Sequence, residues 1–289
     1  MPATSANLGP GFDSFGLALP LLAEFTSRPA KTWVVSCDGG LPTGEDNLFV
    51  IAARAAAKAA RATLPAQHVT QRSAIPLARG LGSSAAAIVG GVLTANALLG
   101  DPLDRHTLLR VATEVEGHAD NVAAALYGAL TIALPTADGP VATRLPFPSA
   151  WRACVLVPNE GLATAVARAV LVPEVSRTDA VYNLAHAALL VAAILRADGA
   201  LLRMAMHDRL HEPARLSLVP ALFEIVTAAR EAGAFGAALS GAGPSIIAIA
   251  PVRLAARVVS AMEEAAVIGG SSGRGRVLRA RAAGAQVLR

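Results

Sequence analysis

Pro76-Leu77-Ala78-Arg79-Gly80-Leu81-Gly82-Ser83-Ser84-Ala85 carries the clearest chemical signal in this chain. Gly80 and Gly82 let backbone amides approach a ligand closely. Ser83 and Ser84 open a run of small residues that continues through Ala85 and Ala86. Free amides at a helix start, together with the positive end of the helix dipole, form an anion site of the kind a nucleoside triphosphate needs. The loop has no lysine, so it is not a Walker A loop, and it lacks the Gly-x-Gly-x-x-Gly spacing of a dinucleotide fold. Taken alone, the same residues also suit an ordinary strand-to-helix turn with a serine N-cap.

Other groups of residues could act beside it. Asn7 and Asp13 put a carboxamide and a carboxylate next to Gly9 and Gly11. A carboxylate there can pair with the ammonium of an amino acid, or the segment can be an Asx turn. Glu114 and Glu116 lie on opposite sides of a helical stripe, since two residues turn a helix by roughly 200°, so one of them faces a cleft, and Glu116 at the helix end is preferred. His118 reads most simply as a structural histidine, and Asp120 or Asn121 as an N-cap that can also touch a substrate. Arg168 and Arg215, taken alone, read as surface charges. Leu239-Ser240-Gly241-Ala242-Gly243-Pro244-Ser245 makes a tight turn.

These residues need elements to hold them. Helices are expected at 47–62, 83–98, from the Asp104 cap to Gly117, at 181–195, at 218–231 and at 254–267. Strands are expected at 69–75, 128–134, 152–157, 234–240 and 245–250. Four prolines between Pro135 and Ser149 mark the best domain connection. Interleaved strands and helices in both halves predict an α+β protein with a cleft between them.

Composition narrows the class. The 289 residues are 54% hydrophobic and 16% charged, enough to bury a large core and too apolar for disorder. The longest uncharged run, Ala232–Val252, holds glycines and prolines and reads as buried strands around a loop, so no membrane span is expected. No basic segment precedes an apolar one at the start, so no secretory leader is expected. Cys37 and Cys154 lack metal-ligand spacing and suit a reducing compartment. The net charge of +4 comes almost wholly from arginine. Arg274, Arg276, Arg279 and Arg281 read as a solvated strand face rather than a nucleic-acid patch.

The Gly-rich loop resembles the second motif of the GHMP kinases, which holds ATP phosphates. Pro2–Asp13 is very similar to the first motif of the homoserine kinases. Glu116-Gly117-His118-Ala119-Asp120-Asn121 resembles their Glu-Gly-His-Pro-Asp-Asn segment, with Ala119 in place of proline. Pro158, Thr164, Ala167 and Arg168 match a further pattern, as do Asp208, His211, Pro213 and Arg215, and residues 239–245 match the third GHMP motif. On these motifs, from the first residues to about residue 250, the chain is identified as a member of the GHMP superfamily and of the homoserine kinase family.

The resemblance implies an α+β, two-domain fold: a ribosomal protein S5 domain 2-like domain over residues 1–149 and a ferredoxin-like domain over 150–289. It implies ATP-dependent phosphorylation of the side-chain hydroxyl of L-homoserine, a step of threonine biosynthesis, in the cytoplasm. Residues Pro76 to Ala86 would hold the nucleotide, and Ser84 with Glu116 would hold Mg²⁺. Asn7, Asp13, His118, Asp120, Arg168 and Arg215 would hold homoserine, the two arginines gripping its carboxylate, with Asp120 the candidate base. The implied partners are small molecules, not nucleic acid or membrane; the family is often dimeric, which allows a homodimer. The alternatives are another GHMP kinase of mevalonate or sugar type, or a catalytically weak ligand-sensing homologue. Family members usually carry a short strand before the first motif; this chain opens on the motif, so an incomplete sheet edge is expected.

Overall fold

The structure is a computed structural model, and it describes residues 1–288. The first motif is not an open loop. It lies where β1 (Pro2–Asn7) turns into the long β2 (Gly11–Pro29), an antiparallel pair with Thr4 opposite Ala18 and Ala6 opposite Gly16. Leu17, Leu19, Leu21 and Ala23 repeat at the strand period and are buried. This long strand was missed in the sequence, although its alternation was visible there.

β3 (Val34–Ser36), α1 (Leu48–Ala59), β4 (Gln67–Ser73), α2 (Ser83–Leu98), α3 (Arg105–Glu116), α4 (Asp120–Tyr127), β5 (Leu130–Leu134) and β6 (Val141–Leu145) complete the first half. Its sheet runs β3-β4-β2-β5-β6, with β1 added on β2. The helices cover it through a core that includes Phe49, Val69, Ile88, Leu109 and Val122. Asn47 caps α1 and Asp104 caps α3 with their side chains, as expected of those residue types.

The second half contains β7 (Trp151–Pro158), α5 (Thr164–Ala169), α6 (Arg177–Leu195), α7 (Gly199–Ala205), α8 (Glu212–Arg215), α9 (Leu222–Glu231), β8 (Gly236–Leu239), β9 (Ile246–Pro251), α10 (Ala255–Ile268) and β10 (Gly273–Leu278). Its antiparallel sheet runs β10-β7-β9-β8. Strand alternation divides its side chains. Cys154, Leu156, Ile246 and Ala248 pack under α9 and α10. Ala153, Val155, Ile247 and Ile249 join a core shared with Leu17 and Leu19 of β2 and with Leu190 and Ile194 of α6. The seam between the halves is therefore solid beneath the cleft.

Three expectations change. The proline-rich stretch 135–149 is no bare connection, because β6 lies inside it and pairs with β5. The arginines near the end are only partly solvated: Arg274 and Arg279 are exposed, but Arg276 and Arg281 bury their Nε atoms. Arg281 also enters the first half, where its N–H donates to the Ala18 carbonyl and its own carbonyl accepts from Ala129. The free edge of β1 is not open either. Thr4 N–H donates to the Leu81 carbonyl and the Ala6 carbonyl accepts from Gly241 N–H, so two loops occupy that edge. Ala232–Val252 does fold as the expected buried strands, β8 and β9, around a loop; α6 is the helix among the described residues long and apolar enough to cross a membrane.

Candidate active site

A cavity of about 310 Å³ opens along the seam. Its floor at one end is the Gly-rich loop. α2 begins at Gly82, whose backbone is left-handed (φ 68°), and no side chain caps it. The expected serine N-cap is thus replaced by a glycine that leaves the first amides of α2 unclaimed by any side chain. Close packing explains the glycines: a Cβ at Gly80 would strike the Ser240 carbonyl, and one at Gly82 the Thr4 hydroxyl. Ser240 Oγ also donates to the Gly80 carbonyl at 2.7 Å. Arg79 does not point at the cavity's centre. Its Nε–H donates to the Pro158 carbonyl at 2.8 Å, and its Nη atoms reach the Leu77 and Asn159 carbonyls, tying the loop to the second half.

Ser84 Oγ donates to Glu116 Oε1 at 2.6 Å. The Glu116 side chain is 7% exposed, and burial pushes its pKa up against the opposing hydrogen bond from Ser84. Glu114 points elsewhere and pairs with Arg110 at the surface. His118 Nδ1 lies 2.6 Å from Asp120 Oδ1 and its Nε2 lies 3.8 Å from Glu116. Burial opposes the imidazolium, but the hydrogen bond and charge of Asp120, then the charge of Glu116, outweigh it and raise the His118 pKa. Asp120 is buried, and the same Oδ1 accepts from Asn121 N–H at 2.7 Å.

The opposite wall is ionic. Arg168 grips Asp13 with two parallel bonds, Nη1 to Oδ2 at 3.1 Å and Nη2 to Oδ1 at 2.7 Å. The hydrogen bond from Asp13 leads the causes that raise the Arg168 pKa. Arg215 is 1% exposed, so the surface-charge reading of it fails. It donates from Nε to the Ala167 carbonyl at 3.0 Å and from Nη1 to the Gly241 carbonyl at 3.2 Å and to His211 Nδ1 at 3.1 Å. Its Nη2 makes no hydrogen bond among the described residues. His211 is also fully buried, and its Nε2 meets the Gly9 carbonyl at 2.9 Å. Nε2 must therefore carry the proton and Nδ1 must accept from Arg215, a neutral ring. Burial, the largest cause, lowers the His211 pKa in agreement. Asp208 Oδ2 accepts from the amides of Leu210, His211 and Glu212 and shapes the turn into α8.

Most expected residues meet here. Asn7, Asp13, Leu77 through Ser84, Glu116, His118, Asp120, Arg168 and Arg215 line the cavity. Three do not. Pro76 stands outside it, and Ala85 and Ala86 are buried in the cores, Ala86 spending its N–H on the Gly82 carbonyl. Asn7 lines the cavity, but its carboxamide already accepts from Asp13 N–H and donates to the Gly241 carbonyl. Sequence reasoning missed Phe12, whose ring stacks on His211 at 5.1 Å and lies under both arginines. It also missed the far end, where Gln71, Asp46 and Asn47 line the cavity and Gln71 Oε1 is buried with no hydrogen-bond partner among the described residues. The Phe12 signal was present beside Asp13; nothing local marked Gln71.

Family models agree with this architecture: one described as GHMP kinases N terminal domain matches residues 47–129, and one described as GHMP kinases C terminal matches residues 190–268. Homoserine kinase of Deinococcus radiodurans is 48% identical over 250 residues, covering 85% of this chain and 81% of that protein. Homoserine kinase of Desulfitobacterium hafniense is 39% identical over 292 residues, covering 100% and 98%. The crystal structure of homoserine kinase from Cytophaga hutchinsonii superposes with a TM-score of 0.85 at 31% identity, covering 98% of this chain and 94% of that one.

Proposed function

The chain belongs to the GHMP kinases and within them to the homoserine kinase family, and on that premise we propose that it transfers the γ-phosphoryl group of ATP to the side-chain hydroxyl of L-homoserine. The P–O bond between the γ-phosphorus and the β–γ bridging oxygen breaks, a new bond forms to the homoserine oxygen, and ADP and O-phospho-L-homoserine leave. The observation that carries this reading is a single cavity with an uncapped helix start at one end and two arginines with a carboxylate at the other.

Phosphoryl transfer depends mainly on positioning and neutralisation of charge. The free amides of α2 hold the phosphates, and the orphan Gln71 carbonyl gives the nucleobase an acceptor. Ser84 and Glu116 fit a divalent cation: they are hard oxygen donors, and among the described residues the buried carboxylate's one hydrogen bond is from the Ser84 hydroxyl, with the His118 ring beside it. They would hold Mg²⁺, which takes one or two protein ligands plus phosphate oxygens and neutralises their charge. Homoserine binding opens the Asp13–Arg168 pair. Asp13 takes the substrate ammonium, and Arg168 and the free Nη2 of Arg215 take its carboxylate, since a planar guanidinium matches that geometry. Asn7 acts by holding the Asp13 backbone. Asp120, oriented by His118, accepts the hydroxyl proton. The chain divides at 149–150 into an ATP domain and a C-terminal domain, and works in the cytoplasm on small molecules.

A panel assay tests the reading. ATP turnover in the presence of Mg²⁺ is measured with homoserine, mevalonate, galactose and shikimate. Homoserine alone is expected to serve. Preferred turnover of another acceptor would overturn the assignment, and ATP binding without turnover of any would favour a sensor.

A further inference from the structure

The side chain of Arg79 leaves the Gly-rich loop and clasps the second half. A guanidinium is a planar fork of N–H donors, and here every partner is a backbone carbonyl. Nε donates to Pro158, the last residue of β7, at 2.8 Å, Nη1 donates to Leu77 at 3.0 Å, and Nη2 donates to Asn159. A backbone bond runs beside the clasp, from Leu162 N–H to the Ala78 carbonyl at 2.9 Å. Ala78 itself is left-handed (φ 51°), a conformation that a residue with a Cβ keeps only where its surroundings hold it. Gly161 lies against the clasp, and a Cβ there would strike Arg79 Nη1.

The connector 158–163 leads from this clasp straight into α5. Its start is fixed: Asn159 N–H donates to the Ser272 carbonyl at 2.9 Å and Asn159 Nδ2 to Ser272 Oγ at 2.8 Å. α5 itself is thinly held. Thr164, Ala165, Val166 and Ala169 are exposed, Ala167 is its buried residue, and no side chain caps its start. Two contacts bind it to the site, the Arg168–Asp13 pair and the bond from Arg215 Nε to the Ala167 carbonyl. Thr164 and Arg168 line the cavity. The place of Arg168 is thus set from two sides. One is Asp13, which pairs with it directly. The other is the connector, and the connector rests on the Gly-rich loop.

We infer that Arg79 is a positioning residue that couples the two ends of the cavity. A nucleotide seated on the Gly-rich loop fixes Ala78 and Arg79, these fix the connector, and the connector holds α5 so that Arg168 stays in place when Asp13 releases it. Given the homoserine reaction proposed above, on which the identity of the second ligand rests, each ligand tightens the binding of the other by the same factor, as linkage requires. The clasp needs arginine rather than a positive charge. Lysine carries the same charge on a single nitrogen and cannot reproduce a fork across carbonyls of two segments.

Titration calorimetry with homoserine and the non-hydrolysable analogue AMP-PNP, each alone and in the presence of the other, tests the coupling. In wild type, each ligand is expected to bind about tenfold more tightly in the presence of the other. Arg79→Lys keeps the charge of the loop, and Gly161→Ala keeps Arg79 but displaces its guanidinium. In both the factor is expected to fall below about twofold. Hydrogen exchange gives a readout that needs no acceptor: AMP-PNP alone is expected to slow exchange across residues 159–168 in wild type and in neither variant. A homoserine that binds under no condition would sink the assignment of the acceptor, and exchange would then decide the coupling by itself. The coupling is overturned if wild type shows no mutual tightening of two ligands that both bind, if both variants keep the wild-type factor, or if AMP-PNP leaves exchange across 159–168 unchanged in wild type.

Discussion

The two ends of the cavity are built on opposite principles. The phosphate end comes from one short stretch, Leu77 to Ser84, joined by Glu116 from the end of α3. It presents backbone amides that no described side chain caps and a carboxylate whose burial disfavours its charge. The opposite end gathers Asp13, Arg168 and the α8 pair His211 and Arg215 from three separate parts of the chain, and most of its polar groups are already engaged with one another. One end is left wanting charge and the other is already satisfied. In the proposed reaction the nucleotide end gains by filling, whereas the amino-acid end exchanges the Asp13–Arg168 pair for two contacts to one substrate. That exchange favours a ligand carrying both an ammonium and a carboxylate, because a ligand with only one strands the other ion.

The comparison is broken most severely at Glu116. Glu116→Gln is expected to lower kcat by about 10³-fold, the scale of losing a principal electrostatic stabiliser, and to raise the Mg²⁺ concentration needed for half-maximal rate. Titrating Mg²⁺ in steady-state assays checks it. Asp120→Asn is expected to lower kcat by about 10²-fold with little change in homoserine KM, as for loss of a proton acceptor. A KM-only effect would move Asp120 to the amino-acid end.

Arg215→Lys tests whether that end needs a planar fork. A loss of about 2 kcal/mol, roughly thirtyfold in kcat/KM for homoserine with ATP KM unchanged, is expected for a charge-assisted bond. The smallest effect concerns pH. Because the folded-state pKa of His211 is depressed by burial, the folded protein binds fewer protons there than the unfolded chain. The stability tied to this neutral ring is complete above about 6.5, the ordinary histidine value, and is lost as pH falls below it. Thermal melts should decline with acid in wild type, and less so in His211→Gln.

The same contrast governs what could be read from sequence. The helix at 83–98 was expected at its observed bounds, and the helix between Asp104 and Gly117 was expected from its cap and its terminal glycine. Both signals are local. β2 was not expected, because Asn7, the glycines and Asp13 at its start read as irregular loop and the strand alternation begins only after them. At the site, the Gly-rich loop stood out from spacing alone, while Arg168 and Arg215 were legible only by resemblance. No property of Arg215's neighbours in sequence announces that it will be fully buried. The engagement of Asn7, the stacking of Phe12 on His211 and the orphan atom of Gln71 depend on residues hundreds of positions away or on other strands.

By itself the sequence determined the helix and strand signals of the core, the absence of a Walker lysine from the Gly-rich loop, and the set of charged residues from which the site is drawn. Tertiary structure alone decided which glutamate faces Ser84, that Asp13 and Arg168 meet, and that His211 is neutral. The reason is physical. Caps, glycine turns and periodicity act over a few residues and are written in order along the chain. Burial, ion pairing and the protonation they impose depend on what the fold brings within a few ångströms, and that is set only when distant segments pack.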